Sequence, residues 1–257
     1  MQAKDQLGRI LTFTSTPQRI VSLVPSQTEL FVDLGLIDSL VGVTKFCVHP
    51  ADLRKQKTIV GGTKQVHYDR ISELQPDVII ANKEENTSEM VKELESIAPV
   101  WISDIYSVQD SLDFVLAMGE LFDRPEEANS IVQNTNDARY HFLEKIAGCE
   151  ITKVAYLIWK KPFMAAGRNT FINALLQDNK FKNIITDPQS RYPEVSKEEL
   201  KTADLILLSS EPYPFKEEDR QQLEDQLNKP VLLVDGEYFS WNGSRLAKAY
   251  DYFRRLH

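Results

Sequence analysis

The chain has 257 residues, of which 42% are apolar and 26% charged, and its formal net charge is −8. These proportions are ordinary for a soluble globular protein that is large enough to bury a core. The acidic balance argues against nucleic-acid binding, which needs a basic face. No apolar run approaches the ~20 residues of a membrane-spanning helix. Cys47 and Cys149 are too few for a disulfide framework or a thiolate metal site, although one bridge between them stays open.

The first residues of the chain carry no visible signal for export. Residues 1–8 lack the basic start and the apolar stretch of a signal peptide. Either the protein works in the cytoplasm, or this sequence is a processed form behind an added methionine. Both compartments are therefore compatible with the sequence.

Strands and helices alternate in the first part of the chain. Residues 20–24 are predicted to form a strand because they are apolar and mostly β-branched, and Pro25 ends it. Ser26 and Glu29 have the spacing of a capping box, which opens a helix that ends at Gly35. Further strands are predicted at 40–43, 58–60, 78–81 and 100–103, and a helix at 88–97.

Two similar segments occur, one in each half of the chain. Residues 66–77 form a short polar helix that leads into the apolar strand 78–81, and residues 194–204 lead in the same way into the strand 205–208. An apolar strand without alternation is buried on both faces, which indicates a parallel sheet covered by helices. One such unit per half predicts two similar lobes with a cleft between them, an arrangement that typically holds a small ligand.

The alternation stops in the middle of the chain, where helices are predicted at 107–122 and 125–147. The second has roughly 22 residues and a length of roughly 33 Å, enough to join two small lobes. Alternation then resumes with strands at 154–158, 205–208 and 231–234 and helices at 169–177, 197–202, 217–227 and 244–256. The predicted fold class is α/β, with two lobes of mainly parallel sheet flanked by helices and joined by one long helix. The predicted domains are an N-terminal lobe at 1–106, a helical spacer at 107–148 and a C-terminal lobe at 149–257.

The sequence contains no catalytic signature, neither a G-x-S-x-G elbow nor a P-loop, an H-E-x-x-H or a dinucleotide motif. We therefore predict no catalytic residues. Ligands of open α/β sheets bind beyond the carboxyl ends of the strands. Those ends are rich in aromatic and long polar side chains, which suit a large, flat, partly apolar ligand. The predicted ligand-binding residues are Phe46, His49, Lys64, Asn82, Lys83, Trp159, Phe163, Tyr192, Glu211, Glu237, Phe239 and Trp241.

Several of these residues have a second interpretation. A loop histidine is more often a hydrogen-bonding neighbour than a metal ligand, yet His49, with Cys47 nearby, could meet the metal of a bound chelate axially. No metal site of the protein itself is predicted. Trp159, Tyr192 and Trp241 either line the predicted cleft or cap the core at strand ends.

The segment Arg19-Ile20-Val21-Ser22-Leu23-Val24-Pro25-Ser26-Gln27-Thr28-Glu29, with Val60-Gly61-Gly62 and Leu74-Gln75-Pro76-Asp77-Val78-Ile79, resembles a family of periplasmic solute-binding proteins. This is the helical-backbone group, class III, which serves ABC importers of cobalamin, iron–siderophore and haem. The resemblance extends from about residue 19 to 256 and is nearest to the cobalamin-binding branch. The fold that it implies, two α/β lobes bridged by a long helix, agrees with the prediction from the residues.

The resemblance implies a monomeric, non-enzymatic protein that captures a metal chelate and delivers it to the permease dimer of an ABC importer. Cobalamin is the first candidate ligand, iron–siderophore and haem are alternatives, and no resident cofactor is implied. A periplasmic or cell-surface location is implied as well. A cytoplasmic enzyme or chaperone that handles a corrinoid or tetrapyrrole on the same fold is the alternative function.

The resemblance also assigns roles to individual positions. Aromatic ligand walls fall near Phe163 and Tyr192, and an acid-plus-base pair falls at Glu237 and Trp241, where tryptophan stands in place of an expected arginine. Thr63 and Asn82 stand at about the positions of expected tryptophans. One exposed acid per lobe is expected to meet arginines of the permease. These docking residues are Asp69 in the first lobe and Glu198 in the second, with Glu199 as a close competitor.

Overall fold

The computed structural model describes residues 1–257 and divides into two compact units. The first unit comprises residues 1–105, 109–136 and 242–245, and the second comprises residues 106–108, 137–241 and 246–257. The segment 107–148, predicted as a helical spacer, does not form a compact unit of its own, because its residues are divided between the two. The segment Asn242–Arg245 returns to the first unit late in the chain.

The first unit begins with an antiparallel hairpin and continues with a five-stranded parallel sheet. The hairpin consists of β1 (Gln2–Lys4) and β2 (Ile10–Thr12), neither of which was predicted. The sheet contains β3 (Ile20–Ser22), β4 (Leu40–Val43), β5 (Thr58–Ile59), β6 (Val78–Asn82) and β7 (Val100–Ser103). Its order is β5-β4-β3-β6-β7, and every pair is parallel. β6 is buried along its whole length, as its uninterrupted apolar sequence predicts.

The helices of this part of the chain are α1 (Pro25–Asp33), α2 (Leu53–Gln56), α3 (Tyr68–Glu73), α4 (Ser88–Leu94), α5 (Val108–Leu121) and α6 (Pro125–Lys145). An apolar cluster of the first unit joins β3, β6 and β7 to α3 and α4, with Val21, Ile79, Ile71 and Leu94 among its members. Removal of these side chains from water is the main favourable contribution to folding. The 21-residue α6 agrees with the predicted long helix, and its residues from Asp137 onward belong to the second unit.

The predicted capping box at the start of α1 is wrong. The helix begins at Pro25, its N-cap is Val24 with extended backbone angles, and no side chain caps it. Proline is favoured at the first helical position because its fixed φ suits a helix and its missing N–H needs no partner there. Glu29 does not cap its own helix. Its carboxylate instead accepts hydrogen bonds from Arg245, with N···O distances of 2.7 and 2.9 Å.

The second unit is built on a four-stranded parallel sheet with one antiparallel strand added. Its strands are β8 (Thr152–Lys160), β9 (Phe163–Ala165), β10 (Phe181–Asn183), β11 (Leu205–Ser209) and β12 (Val231–Val234). The parallel order is β10-β8-β11-β12, and β9 pairs with β8 in the antiparallel direction. β9 and β10 were not predicted, since three residues are too few to show a periodic pattern.

The remaining helices are α7 (Phe171–Asp178), α8 (Lys197–Leu200), α9 (Glu217–Leu227), α10 (Glu237–Ser240) and α11 (Leu246–Phe253). The core of the second unit joins β8 and β11 to α8 and α9, with Leu157, Leu208, Leu200 and Leu223 among its members. Thr170 caps α7 by accepting a hydrogen bond from the backbone N–H of Asn173 at 3.1 Å. None of the helices is both long and apolar enough to cross a membrane.

Both cysteines are free thiols, so the bridge that the sequence left open is not formed. Cys47 is fully buried, with its Sγ 3.1 Å from Thr28 Oγ1 and 3.3 Å from Thr44 Oγ1. Burial raises the pKa of the Cys47 thiol, because the thiolate loses its hydration. Cys149 lies exposed after α6.

We expect the two thiols to differ strongly in reactivity, because alkylation requires an accessible thiolate. Iodoacetamide at neutral pH should modify Cys149 within minutes and leave Cys47 unmodified until the protein is unfolded. Mass spectrometry of tryptic peptides checks this result. The Cys149→Ser variant is the control, since it should take up no label in the native state. Rapid labelling of native Cys47 would contradict its burial.

Candidate functional site

The loops that follow β4, β5 and β6 lie at the carboxyl edge of the sheet in the first unit, and main-chain and side-chain hydrogen bonds join them. The backbone N–H of Lys45 donates to the carbonyl of Gly61 at 2.8 Å. Asn86 Nδ2 donates to the carbonyl of Thr63 at 2.7 Å. These bonds hold the predicted ligand-binding loops of this unit in one arrangement, which is the condition for a preformed site.

Phe46 presents an exposed aromatic ring at this edge. Its side chain is 49% exposed, and the Nζ of Lys45 lies 5.0 Å from the centre of its ring. The ring packs beside Gly62, where an added Cβ would come within 3.2 Å of it. Gly61 adopts φ +127°, a conformation that side chains disfavour, so the turn requires glycine at this position. The exposed ring of Phe46, packed beside this constrained turn, is available to an apolar ligand surface.

Two lysines of the predicted site are exposed at the same edge. Lys64 Nζ donates to the main-chain carbonyl of Glu84 at 2.6 Å. Lys83 Nζ forms an ion pair with Asp104 Oδ2 at 2.7 Å. Lys45, which the predicted set does not contain, is also exposed. Its position just after the predicted strand 40–43 could have identified Lys45 as a candidate ligand-binding residue.

Asn82 is a structural residue of this edge. Its side chain is 7% exposed, and its Nδ2 donates to Ser103 Oγ at 2.8 Å while its Oδ1 accepts from the backbone N–H groups of Glu84 and Glu85. Gln27 Nε2 donates to the same Ser103 Oγ at 2.5 Å. The amide of Asn82 is therefore engaged within the protein, and it holds the loop rather than offering a ligand contact.

His49 is half-buried in the loop after β4, and Cys47 cannot assist it as a ligand because the thiol is buried and bonded to two threonines. No group of three histidine, cysteine or carboxylate side chains in the structure is placed to hold a metal ion. Axial contact of His49 with the metal of a bound chelate stays a prediction.

An aromatic cluster lies at the carboxyl end of β8 in the second unit. Trp159 is 40% exposed, and its ring meets that of Tyr213 edge-to-face at 5.5 Å. Tyr213 meets Phe215 in the same way at 4.7 Å. Phe163 is half-buried and packs against the core of this unit. Tyr213 was missed, although its position after the strand 205–208 is the same kind of signal that pointed to Glu211.

Glu211 is fixed at the end of β11 by side-chain hydrogen bonds. Its Oε1 accepts from Ser240 Oγ at 2.5 Å and from Trp241 Nε1 at 3.0 Å. A Cβ at Gly236 would lie 2.6 Å from Glu211 Cγ, so the close approach depends on glycine. Trp241 is only 7% exposed, which makes it a donor that positions Glu211 rather than an open ligand wall.

The other predicted residues of the second unit differ in exposure. Phe239 has no exposed surface and packs against Tyr156 and Phe253, with ring centres 5.1 and 4.7 Å away. It is a core residue and not a ligand contact. Tyr192 and Glu237 are partly exposed, so their predicted roles stay open to test.

The three acidic residues predicted for docking lie in first helical turns and are exposed. Asp69 in α3 and Glu198 in α8 have no side-chain hydrogen bond or ion pair. Glu199 differs, because its Oε2 accepts from the backbone N–H and from the Oγ of Ser196, both at 2.8 Å. The backbone hydrogen bond from Ser196 lowers the pKa of the Glu199 carboxyl. Glu198 is therefore the better candidate of the two.

Residues 20–230 match the model of the periplasmic binding protein family, which is most of the chain. The chain belongs to this family. This match confirms the family resemblance based on residues 19–29 of the sequence.

Individual relatives of this family member are distant. A vitamin B12-binding protein of Pectobacterium carotovorum subsp. carotovorum is 23% identical over 238 residues, which cover 91% of this chain and 86% of the relative. An uncharacterised ABC transporter substrate-binding lipoprotein of Bacillus subtilis is 26% identical over 191 residues, 71% of this chain, which spans only 60% of that relative. A periplasmic heme-binding protein from Pseudomonas aeruginosa matches in structure with a TM-score of 0.80 at 22% identity, over 93% of this chain and 92% of its own. This likeness confirms the predicted α/β fold class.

Proposed function

We propose that this protein is the substrate-binding component of an ABC importer and that it captures a metal chelate outside the cytoplasm. The family match over residues 20–230 carries this proposal. Cobalamin is the first candidate ligand, supported by the vitamin B12-binding relative that is covered over 86% of its length. Haem follows, supported by the similar fold of a heme-binding protein, and iron–siderophore is third. The lipoprotein relative supports a location outside the cytoplasm.

The exposed aromatic side chains suit this ligand class. Corrin and porphyrin rings are large and flat, and they gain from burial against aromatic faces and edges. Trp159 with Tyr213 in the second unit and Phe46 in the first are the exposed or partly exposed rings at the carboxyl edges of the two sheets. These are the edges at which ligands of open α/β sheets bind. The further residues proposed to contact ligand are Lys83 in the first unit and, in the second unit, Phe163, Tyr192, Glu211 and Glu237.

The proposed partner is a permease dimer, to which a monomeric binding protein delivers its ligand. Asp69 and Glu198 place one exposed acid on each unit. Two similar subunits of a partner can be met by two similar acids. Since both carboxylates lack a partner within the chain, they are available to arginines of another protein.

Titration of the pure protein with cobalamin, haem and ferric siderophores tests the proposed function. We expect saturable quenching of tryptophan fluorescence with one of these ligands, because Trp159 is exposed in the proposed site. The Trp159→Phe variant should lose most of the quenching, and it should bind a few-fold more weakly because the smaller ring buries less apolar surface against the ligand.

The other tryptophans provide the controls. Trp101 is 1% exposed in the core of the first unit and should respond least to ligand. The Trp241→Phe variant should keep the quenching, because it retains the exposed Trp159. Unchanged affinity and quenching in Trp159→Phe would remove Trp159 from the site. Chemical conversion of the added corrinoid or tetrapyrrole would instead favour the enzyme that the same fold allows.

A further inference from the structure

We infer that Lys45 and Lys64, two lysines beside one turn of the first unit, bind an anionic group of the chelate, a carboxylate or a phosphodiester. The inference rests on the proposed function and names the chemistry of the ligand at this part of the site.

Both lysines are fixed to the same turn. The backbone N–H of Lys45 donates to the carbonyl of Gly61, and Lys64 follows Gly62 by two residues. The turn is closed by the backbone N–H of Gly62, which donates to the carbonyl of Gln65 at 2.7 Å. A Cβ on Gly62 would lie 3.6 Å from Lys45 Cε, so the stem of this lysine packs along the turn. One hydrogen-bonded turn therefore holds the backbone of both lysines and the stem of Lys45.

The positive charges of these two lysines are not neutralised by carboxylates. The ammonium of Lys45 lies over the ring of Phe46, 5.0 Å from its centre, and forms no ion pair. The ammonium of Lys64 donates to a main-chain carbonyl, that of Glu84, and not to a carboxylate. Lys83 differs from both, because it is paired with Asp104. Two uncompensated cations thus remain at this edge of the sheet.

These two cations stand out against the charge of the whole protein. The formal net charge is −8, and such a field disfavours the approach of an anionic ligand. A chelate with a negative substituent therefore needs local positive groups to bind. The exposed ring of Phe46 beside Lys45 combines an apolar contact with a cation, which matches a flat ligand that carries a carboxylate or phosphodiester.

Pairs of ligands of one class, one member with and one without an anionic group, test this inference. Cobalamin is compared with cobinamide, which lacks the phosphodiester, haem with its dimethyl ester, and ferric dicitrate with uncharged ferrichrome. The Lys45→Met and Lys64→Met double variant should bind the anionic member about tenfold more weakly and the other member with little change. Binding of the anionic member alone should weaken with rising salt.

The controls separate charge from packing. The Lys45→Arg and Lys64→Arg double variant should retain most of the affinity, since the charge is kept. Lys201→Met removes an exposed lysine of the second unit, just before β11, and should change nothing. Equal losses for both members of a pair, or no loss for either, would overturn the inference while the proposed function stands. Absence of binding of all six ligands to the unsubstituted protein would overturn the proposed function and the inference together.

Discussion

Replacement of Asp69 and Glu198 by alanine in the same protein is expected to abolish uptake through the cognate importer. Both carboxylates are exposed, and neither has a partner within the chain, so their removal should affect only the proposed contacts with the permease. Close charge pairs at protein interfaces contribute roughly 1.5 kcal/mol or more each. Loss of two should therefore weaken docking by about 100-fold or more. Ligand uptake and ATPase stimulation in proteoliposomes that contain the permease measure this effect.

The same substitutions should leave the isolated protein nearly unchanged. An acid in a first helical turn contributes about 0.3–1 kcal/mol through the helix dipole, which is small beside the docking effect. Ligand affinity and melting temperature of the double variant should thus stay close to those of the unsubstituted protein. These two measurements show whether a loss of uptake comes from docking or from a damaged fold.

Two neighbouring acids serve as matched controls. Glu199→Ala removes the side chain that caps α8 through Ser196, so it should lower stability by up to about 1 kcal/mol and leave uptake intact. Glu73→Ala removes an exposed acid in the last turn of α3, the helix that carries Asp69, and should have no effect on uptake. Normal transport by the Asp69→Ala and Glu198→Ala double variant would contradict the assignment of these two residues to permease docking.

The Arg245→Met substitution is expected to cause the largest loss of stability among the variants considered. Arg245 and Glu29 are both buried in the first unit, and the guanidinium meets the carboxylate through two hydrogen bonds of 2.7 and 2.9 Å. Removal of one partner leaves a buried charge without its counter-ion, at a cost of about 3–5 kcal/mol. The melting temperature should fall by about 10 °C.

The pair also anchors a segment that is distant in sequence. Two further contacts join residues 242–245 to the first unit: the N–H of Gly243 donates to Ser111 Oγ at 2.8 Å, and Ser244 Oγ donates to Asp33 Oδ2 at 2.5 Å. The Arg245→Met variant should therefore show faster amide hydrogen exchange in this segment. Exchange measured by mass spectrometry on peptides that cover residues 242–245 checks this expectation.

A double variant distinguishes a lost interaction from a stranded charge. Replacing Glu29 by leucine together with Arg245→Met removes both charges and keeps apolar volume, which often restores stability. We expect the double variant to recover more than half of the loss in melting temperature. A double variant as unstable as Arg245→Met alone would mean that the cost is one of packing and not of charge.

The sequence by itself determined the main strands, the long helix and the family. Continuous apolar segments such as 78–81 and 205–208 predicted buried parallel strands because strands of this composition are covered on both faces. The 3.6-residue periodicity and Pro125 marked the long helix to within a few residues, because both act locally. The opening strand and helix led to the correct family, which the match over residues 20–230 confirms.

Only the tertiary structure decided which of the predicted site residues have side chains exposed to solvent. Phe239, Asn82 and Trp159 all come after strands predicted from the sequence. In the structure, Phe239 packs into the core, the Asn82 amide is hydrogen-bonded within the protein, and Trp159 is exposed. The Glu29 carboxylate was predicted to cap its own helix, whereas it binds Arg245, which is 216 residues away in sequence. The main strands and the long helix follow from local sequence because neighbouring residues dictate backbone geometry. Burial and the choice of a hydrogen-bonding partner depend on segments that folding brings together, so sequence spacing does not reveal them.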